Sequence, residues 1–257
     1  MNLIELSKYL QDEEAAEKYL YEKGILKIFV NCPYCSSEKI GNIRRSRMKC
    51  YKCKKEWHKR KGSFLEGKQI TFSKFVAFIK LYDGEIGVNQ ISHELELDIK
   101  STIALHSEFR KALIQNFEQF SLTKSYRAIL SGDRGELKLQ FLSEKEFPQA
   151  EKYYVLEFKR YKELGSLYSF LIQAQWSGKN KSQQAFFNSF LSFAKMKLIT
   201  YRGIKIDFVA DYLCELVIRY NNRHTDFHKI ILNSLQVSLV VDFPVAREIP
   251  TKLNSKK

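Results

Sequence analysis

At 257 residues, 44% hydrophobic and 14% aromatic, the chain can bury one large core or about two to three small ones. No stretch approaches the roughly 18 to 20 uninterrupted apolar residues that span a bilayer, and the first thirty residues are acidic and amphipathic, the wrong pattern for a signal peptide. A formal charge of +14, with five cysteines and nothing that marks secretion, argues for a reducing cytoplasm and a polyanionic partner, against a disulfide-stapled extracellular module.

Over 2–21 the apolar residues Leu3, Leu6 and Leu10, then Ala16, Tyr19 and Leu20, recur at three- and four-residue intervals. Asp12, Glu13 and Glu14 open a second turn and Gly24 is placed to end it, so residues 1–31 are expected to form one or two short helices. Next come Cys32-Pro33-Tyr34-Cys35 and, fourteen residues later, Cys50-Tyr51-Lys52-Cys53. Two Cys-x-x-Cys knuckles at that separation can set four thiolates tetrahedrally around one Zn²⁺ with a hairpin between them. Cys32, Cys35, Cys50 and Cys53 are therefore expected to be the structural zinc ligands of a ribbon over 32–66. Disulfides are the alternative, but a bridge across a two-residue gap is strained and redox-active, and no βαβ pattern flanks either knuckle. Cys214 sits in an apolar helical setting and reads as a buried structural thiol.

Charge is concentrated: residues 32–70 sum to +9 and 176–257 to +7, whereas 1–31 and 71–120 each sum to −2. Over 44–61 ten Lys/Arg stand against one Glu, interleaved with Tyr51, Trp57 and His58. That density repels itself unless a polyanion is bound. Arg44, Arg45, Arg47, Lys49, Lys52, Lys54, Lys55, Lys59, Arg60 and Lys61 are thus candidate contacts to double-stranded DNA, with an ordinary solvated surface as the plain alternative. Residues 55–61 alternate well enough for a strand returning along 43–48. His58 reads as a surface or DNA-facing residue, since four cysteines already complete a ligand set.

Residues 71–83 read as a helix with a hydroxyl cap and an apolar face, stopped by Gly84 and Gly87. A short helix over 89–95 follows. After Glu96-Leu97-Asp98 a longer one begins, with Ile99, Ile103, Phe109, Leu113 and Phe117 expected inward. Three helices with a tight turn between the last two predict a helix-turn-helix over 67–120, whose third helix would carry Lys100, Ser101, Thr102 and His106 to a major groove. At −2 this segment is a weak electrostatic footprint, and a purely structural three-helix bundle stays open. Beyond Ser121 period two predicts strands over 136–142, 153–159 and 166–173, then helices over 182–199, 207–220 and 225–235, and a basic tail over 242–257.

In this order the chain resembles the zinc-ribbon-bearing DDE transposases of bacterial insertion sequences. Glu13-Glu14-Ala15-Ala16-Glu17-Lys18-Tyr19-Leu20 ahead of Cys32-Pro33-Tyr34-Cys35 is similar to that family's first helix and ribbon. Gly62-Ser63-Phe64-Leu65, leading into Ile91-Ser92-His93-Glu94-Leu95-Glu96-Leu97, is similar to its ribbon-to-helix-turn-helix join. Phe186-Phe187-Asn188-Ser189-Phe190, through Arg202-Gly203-Ile204 to Arg219-Tyr220-Asn221-Asn222-Arg223, is similar to its closing helices. The resemblance implies an α+β multidomain chain ending in an RNase H-like α/β domain, in which three carboxylates bind two Mg²⁺ and drive in-line attack on phosphodiesters. Here Gln140 falls where the first-strand Asp belongs, Ala185 where the helix Glu belongs, and the segment for the second Asp is missing. A shortened domain over 121–241 without strand-transfer activity is expected, with no catalytic residue and with Asp133, Glu136 and Glu144 as residual acids. The reading is then a transposase-derived DNA-binding protein of the cytoplasm, associated with the nucleoid. An active recombinase using Mg²⁺, a protein-interaction scaffold and a homo-oligomer are left open.

Overall fold

The computed structural model describes residues 1–44, 46–117, 127–133, 136–141, 154–159, 171–176, 181–200, 204 and 208–237. It is a mixture of helices and two small antiparallel sheets. Helix α1 (Leu3–Gln11) starts from a capping box: the Glu5 amide donates to Asn2 Oδ1 at 2.8 Å, and the Asn2 amide donates to Glu5 Oε2 at 3.0 Å. Asp12 ends α1 and caps α2 (Glu13–Glu22) by accepting from the Glu14 and Ala15 amides. Glu13 in turn reaches across the fold to the start of α3 (Phe72–Asp83), where its carboxylate accepts from the Phe72 and Ser73 amides at 2.6 and 2.9 Å. An acid on one helix thereby satisfies the exposed amides of another and complements its dipole.

Between α2 and α3 lies the ribbon, β1 (Ile40–Ile43), β2 (Arg47–Cys50) and β3 (Glu56–His58), paired antiparallel in that order. Its register sets Arg47 opposite His58 and Met48 opposite Trp57: a strand over 55–61 returning along 43–48 was expected, and the paired segment is the shorter Glu56–His58 along Arg47–Lys49. After α3 come α4 (Val88–Glu94) and α5 (Ile99–Gln115), joined by a turn in which Glu96 takes a left-handed φ of 48°. On α5 the buried stripe is Thr102, Leu105, Phe109 and Leu113, and Phe109 packs its ring 4.9 Å from Phe78 and 5.2 Å from Tyr82. Ile99 and Ile103, expected inward, are instead 38% and 54% exposed. The helix phase that buries 102, 105, 109 and 113 leaves them outside.

The C-terminal sheet has four strands, β4 (Arg127–Asp133), β5 (Glu136–Phe141), β6 (Tyr154–Lys159) and β7 (Leu171–Trp176), in the order β5-β4-β6-β7. Three strands were expected; β4 is additional, and β7 begins five residues and ends three residues further along than 166–173. All three pairings are antiparallel, so the parallel pairs that define an α/β domain do not occur among the described strands. Leu137 and Leu139 face inward while Lys138 and Gln140 face out. Helices α6 (Lys181–Thr200) and α7 (Val209–Asn221) cover this sheet's core, where Leu130, Leu137, Leu139, Phe187, Phe190, Leu213 and Val217 meet Leu113 and Ile114 of α5. Asn221 binds both backbone groups of Leu137, accepting from its amide and donating to its carbonyl at 2.9 Å each, and so fastens α7 to β5.

Helix α8 (Phe227–Ser234) returns to the N-terminal core, burying Ile231, Leu232 and Leu235 with Leu20, Phe75, Tyr82 and Phe109. Helix α5 is therefore buried in both cores. Glu144 and the tail over 242–257 lie outside the described residues. Among the described residues, no helix is long and apolar enough to cross a membrane.

Candidate metal centre and nucleic-acid interface

The two knuckles fold alike. In each, the first cysteine's amide donates to the carbonyl five residues on, Cys32 to Ser37 and Cys50 to Lys55, both at 2.9 Å. The residue after each second cysteine, Ser36 and Lys54, takes a left-handed φ of 54° and 63°. These tight loops aim backbone amides at sulfur: Tyr34 N–H donates to Cys32 Sγ at 3.4 Å and Cys53 N–H to Cys50 Sγ at 3.5 Å. Beneath them Trp57 is buried with Phe29, Ile40 and Met48.

Cys32, Cys35, Cys50 and Cys53 are all free thiols, and their sulfurs lie within 4.8 Å of one another. Cys32 and Cys53 are 3.6 Å apart at sulfur, Cys35 and Cys50 3.7 Å. A Zn–S bond of about 2.3 Å fixes the edge of a tetrahedron at about 3.8 Å, so both separations fit one four-coordinate ion. Electrostatics agree. The Cys53 amide draws the Cys50 thiol down to about 6. At Cys35 the Ser37 amide pulls the same way, but burial and the three adjoining cysteines outweigh it and push that thiol up to about 11. Four adjacent sulfurs cannot all ionise unaided, and a divalent cation removes that conflict. The set can hold a zinc ion.

Searched against family models, curated proteins and solved structures, the chain matches none.

The expected DNA contacts divide into exposed and structural groups. Arg44, Arg47, Lys52, Lys54 and Lys55 are exposed on the ribbon. Arg47 and Lys49 share Glu56 at 3.8 and 3.2 Å. Lys61 donates to the Tyr34 hydroxyl at 2.8 Å, and the ammonium groups of Lys61 and Lys55 lie 4.0 and 4.8 Å from that ring's centre. Lys59 and Arg60 are structural instead. Lys59 pairs with Glu17 at 2.8 Å, while Arg60 lies over the Phe72 ring and donates to the Lys68 carbonyl at 2.6 Å, anchoring the ribbon to α2 and α3. Arg45 lies outside the described residues.

On α5, Lys100 and Ser101 are exposed at the first turn, where Asp98 caps the helix by accepting from the Ser101 amide at 2.9 Å. Thr102 is fully buried, its hydroxyl donating to the Asp98 carbonyl at 2.9 Å, and cannot reach a groove. His106 packs edge-on to Tyr82 at 4.8 Å, with Nδ1 3.1 Å from Arg110 Nη2. Burial, reinforced by Arg110, pushes its imidazole down to about 4, so it is neutral and structural.

Gln140 and Ala185 are both exposed, on β5 and α6. Asp133 ends β4 and pairs with Glu136, which begins β5. Among the described residues, the four cysteines are the one set of three or more metal-ligating side chains that the fold gathers.

Sequence reasoning missed a buried ion triad. Glu215 on α7 accepts from Arg110 Nε at 2.7 Å and from Arg219 Nε at 2.9 Å, with all three side chains buried. Arg219 also donates to the carbonyls of Tyr82 and Asp83 at the end of α3, at 2.9 and 3.3 Å. A faint signal was present, since Glu215 interrupts the apolar run of Leu213, Cys214, Leu216 and Val217.

Proposed function

We propose that this chain is a transposase-derived, zinc-dependent binder of double-stranded DNA, in which the ribbon grips phosphates and the exposed face of α5 meets the groove. The observation that carries the reading is the group of exposed cations, Arg44 and Arg47 in the β1–β2 hairpin and Lys52, Lys54 and Lys55 at the second knuckle, on a ribbon whose sulfurs stand at zinc spacing. Zinc would supply structure, tying the second knuckle to the first so that the ribbon's cations keep a fixed spacing. Phosphate binding then releases condensed counterions, the main source of sequence-independent affinity. Lys100 and Ser101 extend the cationic, hydrogen-bonding surface to α5, whose orientation the triad fixes through Arg110. Strand transfer is not part of the proposal. Neutral Gln140 and Ala185 carry no charge to hold the Mg²⁺ ions that two-metal chemistry needs.

Fluorescence anisotropy of a labelled duplex, titrated across a salt series, tests it. Five ribbon cations plus Lys100 make about six phosphate contacts, so log affinity should fall against log salt with a slope of about −5. Substituting Lys52 or Lys54 by Ala should weaken binding to all sequences alike and flatten the slope by about 0.9. A salt-insensitive complex, or no complex, refutes it, and Mg²⁺-dependent nicking of the bound duplex would favour an active recombinase.

A further inference from the structure

We infer that α5 reads thymine methyl groups through Ile99 and Ile103, an inference that rests on the DNA-binding reading above. These two side chains are 38% and 54% exposed although a buried stripe is available on the same helix. They stand one turn apart on one face. Beside them on the same exposed arc lie Lys100 and Ala104, with Lys111 two turns further along. Two acids border the ridge: Asp98, whose carboxylate accepts from the Ser101 amide and hydroxyl, and Glu108, tied to Lys68 at 2.8 Å. The face is thus a short apolar ridge flanked by Lys100, with both neighbouring carboxylates already engaged. A β-branched residue is a poor helix former in water, and neither isoleucine gains core packing in exchange.

Charge selects the occupant. A wholly apolar partner surface would strand the Lys100 ammonium group, whereas a nucleic-acid duplex pairs it with a phosphate and offers the ridge an apolar target. In the major groove that target is the thymine C5 methyl group, the one apolar substituent the four bases present there. An isoleucine against cytosine, guanine or adenine would cover donors or acceptors it cannot satisfy, so the same contact selects thymine and rejects the others. Residues i and i+4 are about 6 Å apart along the helix axis, close to two base rises of about 3.4 Å, which predicts two thymines about two steps apart.

The test uses the full-length protein. A duplex enriched from a random pool is resynthesised with each thymine in turn replaced by deoxyuridine, which removes the methyl group and keeps every hydrogen-bonding group. Wild type should bind about fourfold more weakly for each contacted methyl removed, the worth of about one buried carbon. The Ile99→Ala/Ile103→Ala variant should bind the thymine and uracil duplexes equally, with a melting temperature within a few degrees of wild type because neither side chain belongs to a buried core. Equal binding of both duplexes by wild type overturns the inference while leaving DNA binding standing. Discrimination that persists in the double variant overturns it as well, and a simultaneous change of oligomeric mass would assign the ridge to contacts between copies of the chain. Failure to bind any duplex removes the DNA-binding reading and this inference together.

Discussion

Replacing Glu215 by Leu should destabilise the protein severely, because it leaves Arg110 and Arg219 buried without a counter-charge. Both guanidinium groups donate to its carboxylate, at 2.7 and 2.9 Å, in a setting nearly closed to water. Removing one partner of a buried ion pair costs roughly 3–5 kcal/mol. The ionisation of Glu215 points the same way. Burial alone would push the Glu215 carboxyl up, but Arg110, Arg219 and His106 outweigh it and hold it at about 2 against an ordinary 4.5. That displacement means that the fold favours the charged, paired form. At about 2–4 °C per kcal/mol for a chain of this size, Tm should fall by about 10 °C, read by circular dichroism melting and urea titration. The companion Arg110→Met/Glu215→Leu/Arg219→Met should recover most of the loss, since it removes the buried charges together. It should not exceed wild type by much, because the Tyr82 and Asp83 carbonyls lose their donor. A fall of under about 2 °C in Glu215→Leu would refute the reasoning, for it would mean the arginines reach water at little cost.

Stability should also fall on acidification in two windows. His106 is held neutral down to about 4 by burial and Arg110, whereas in the unfolded chain it protonates near 6.5, so its contribution is complete above about 6.5 and is lost as pH drops towards 4. Burial lowers His228 in the same direction, and Glu215 adds its loss between about 4.5 and 2; urea midpoints at pH 7.5, 5.5 and 4 check the slope, and His106→Gln should flatten it between 6.5 and 4. Cys50→Ser should abolish stoichiometric zinc in elemental analysis and unfold the ribbon, because small zinc modules draw on the order of 10 kcal/mol of folding free energy from the metal. The C-terminal core of that variant should keep its cooperative melt.

What was legible in the sequence was local. Cysteine spacing encodes the knuckles directly, and caps at Asn2, Asp12, Thr71 and Asp98 mark helix starts within a turn. The phase of α5 was misread because apolar Ile99 and Ile103 were assigned to the core by composition. Thr102, whose hydroxyl bonds back to the Asp98 carbonyl, could be buried at little cost and took that position. Strand β4 was missed because its sequence, Arg127 to Asp133, holds Ser131 and Gly132 and alternates poorly, and β7 was displaced because the apolar run before it drew the assignment upstream. The triad joins residues 105 positions apart, a pairing that no local pattern announces.

The same long-range packing determines what a fragment ending at residue 120 should do. By sequence that is the end of a helix-turn-helix, yet the N-terminal core is closed by Ile231, Leu232 and Leu235 of the α8 segment, and the inner end of α5 by α7. Truncation would expose the apolar surface facing three buried side chains, each worth roughly 1.5–3 kcal/mol. It would also leave Arg110 without Glu215, and the Tyr82 and Asp83 carbonyls without Arg219. Those losses together match or exceed the roughly 5–15 kcal/mol by which a domain is stable. A fragment of residues 1–120 is therefore expected to lack a cooperative melt, whereas residues 1–237 should melt as the full chain does. Cooperative unfolding of the shorter fragment near the full-length Tm would show that α8 and the triad only decorate the N-terminal core, and that α5 is oriented without them.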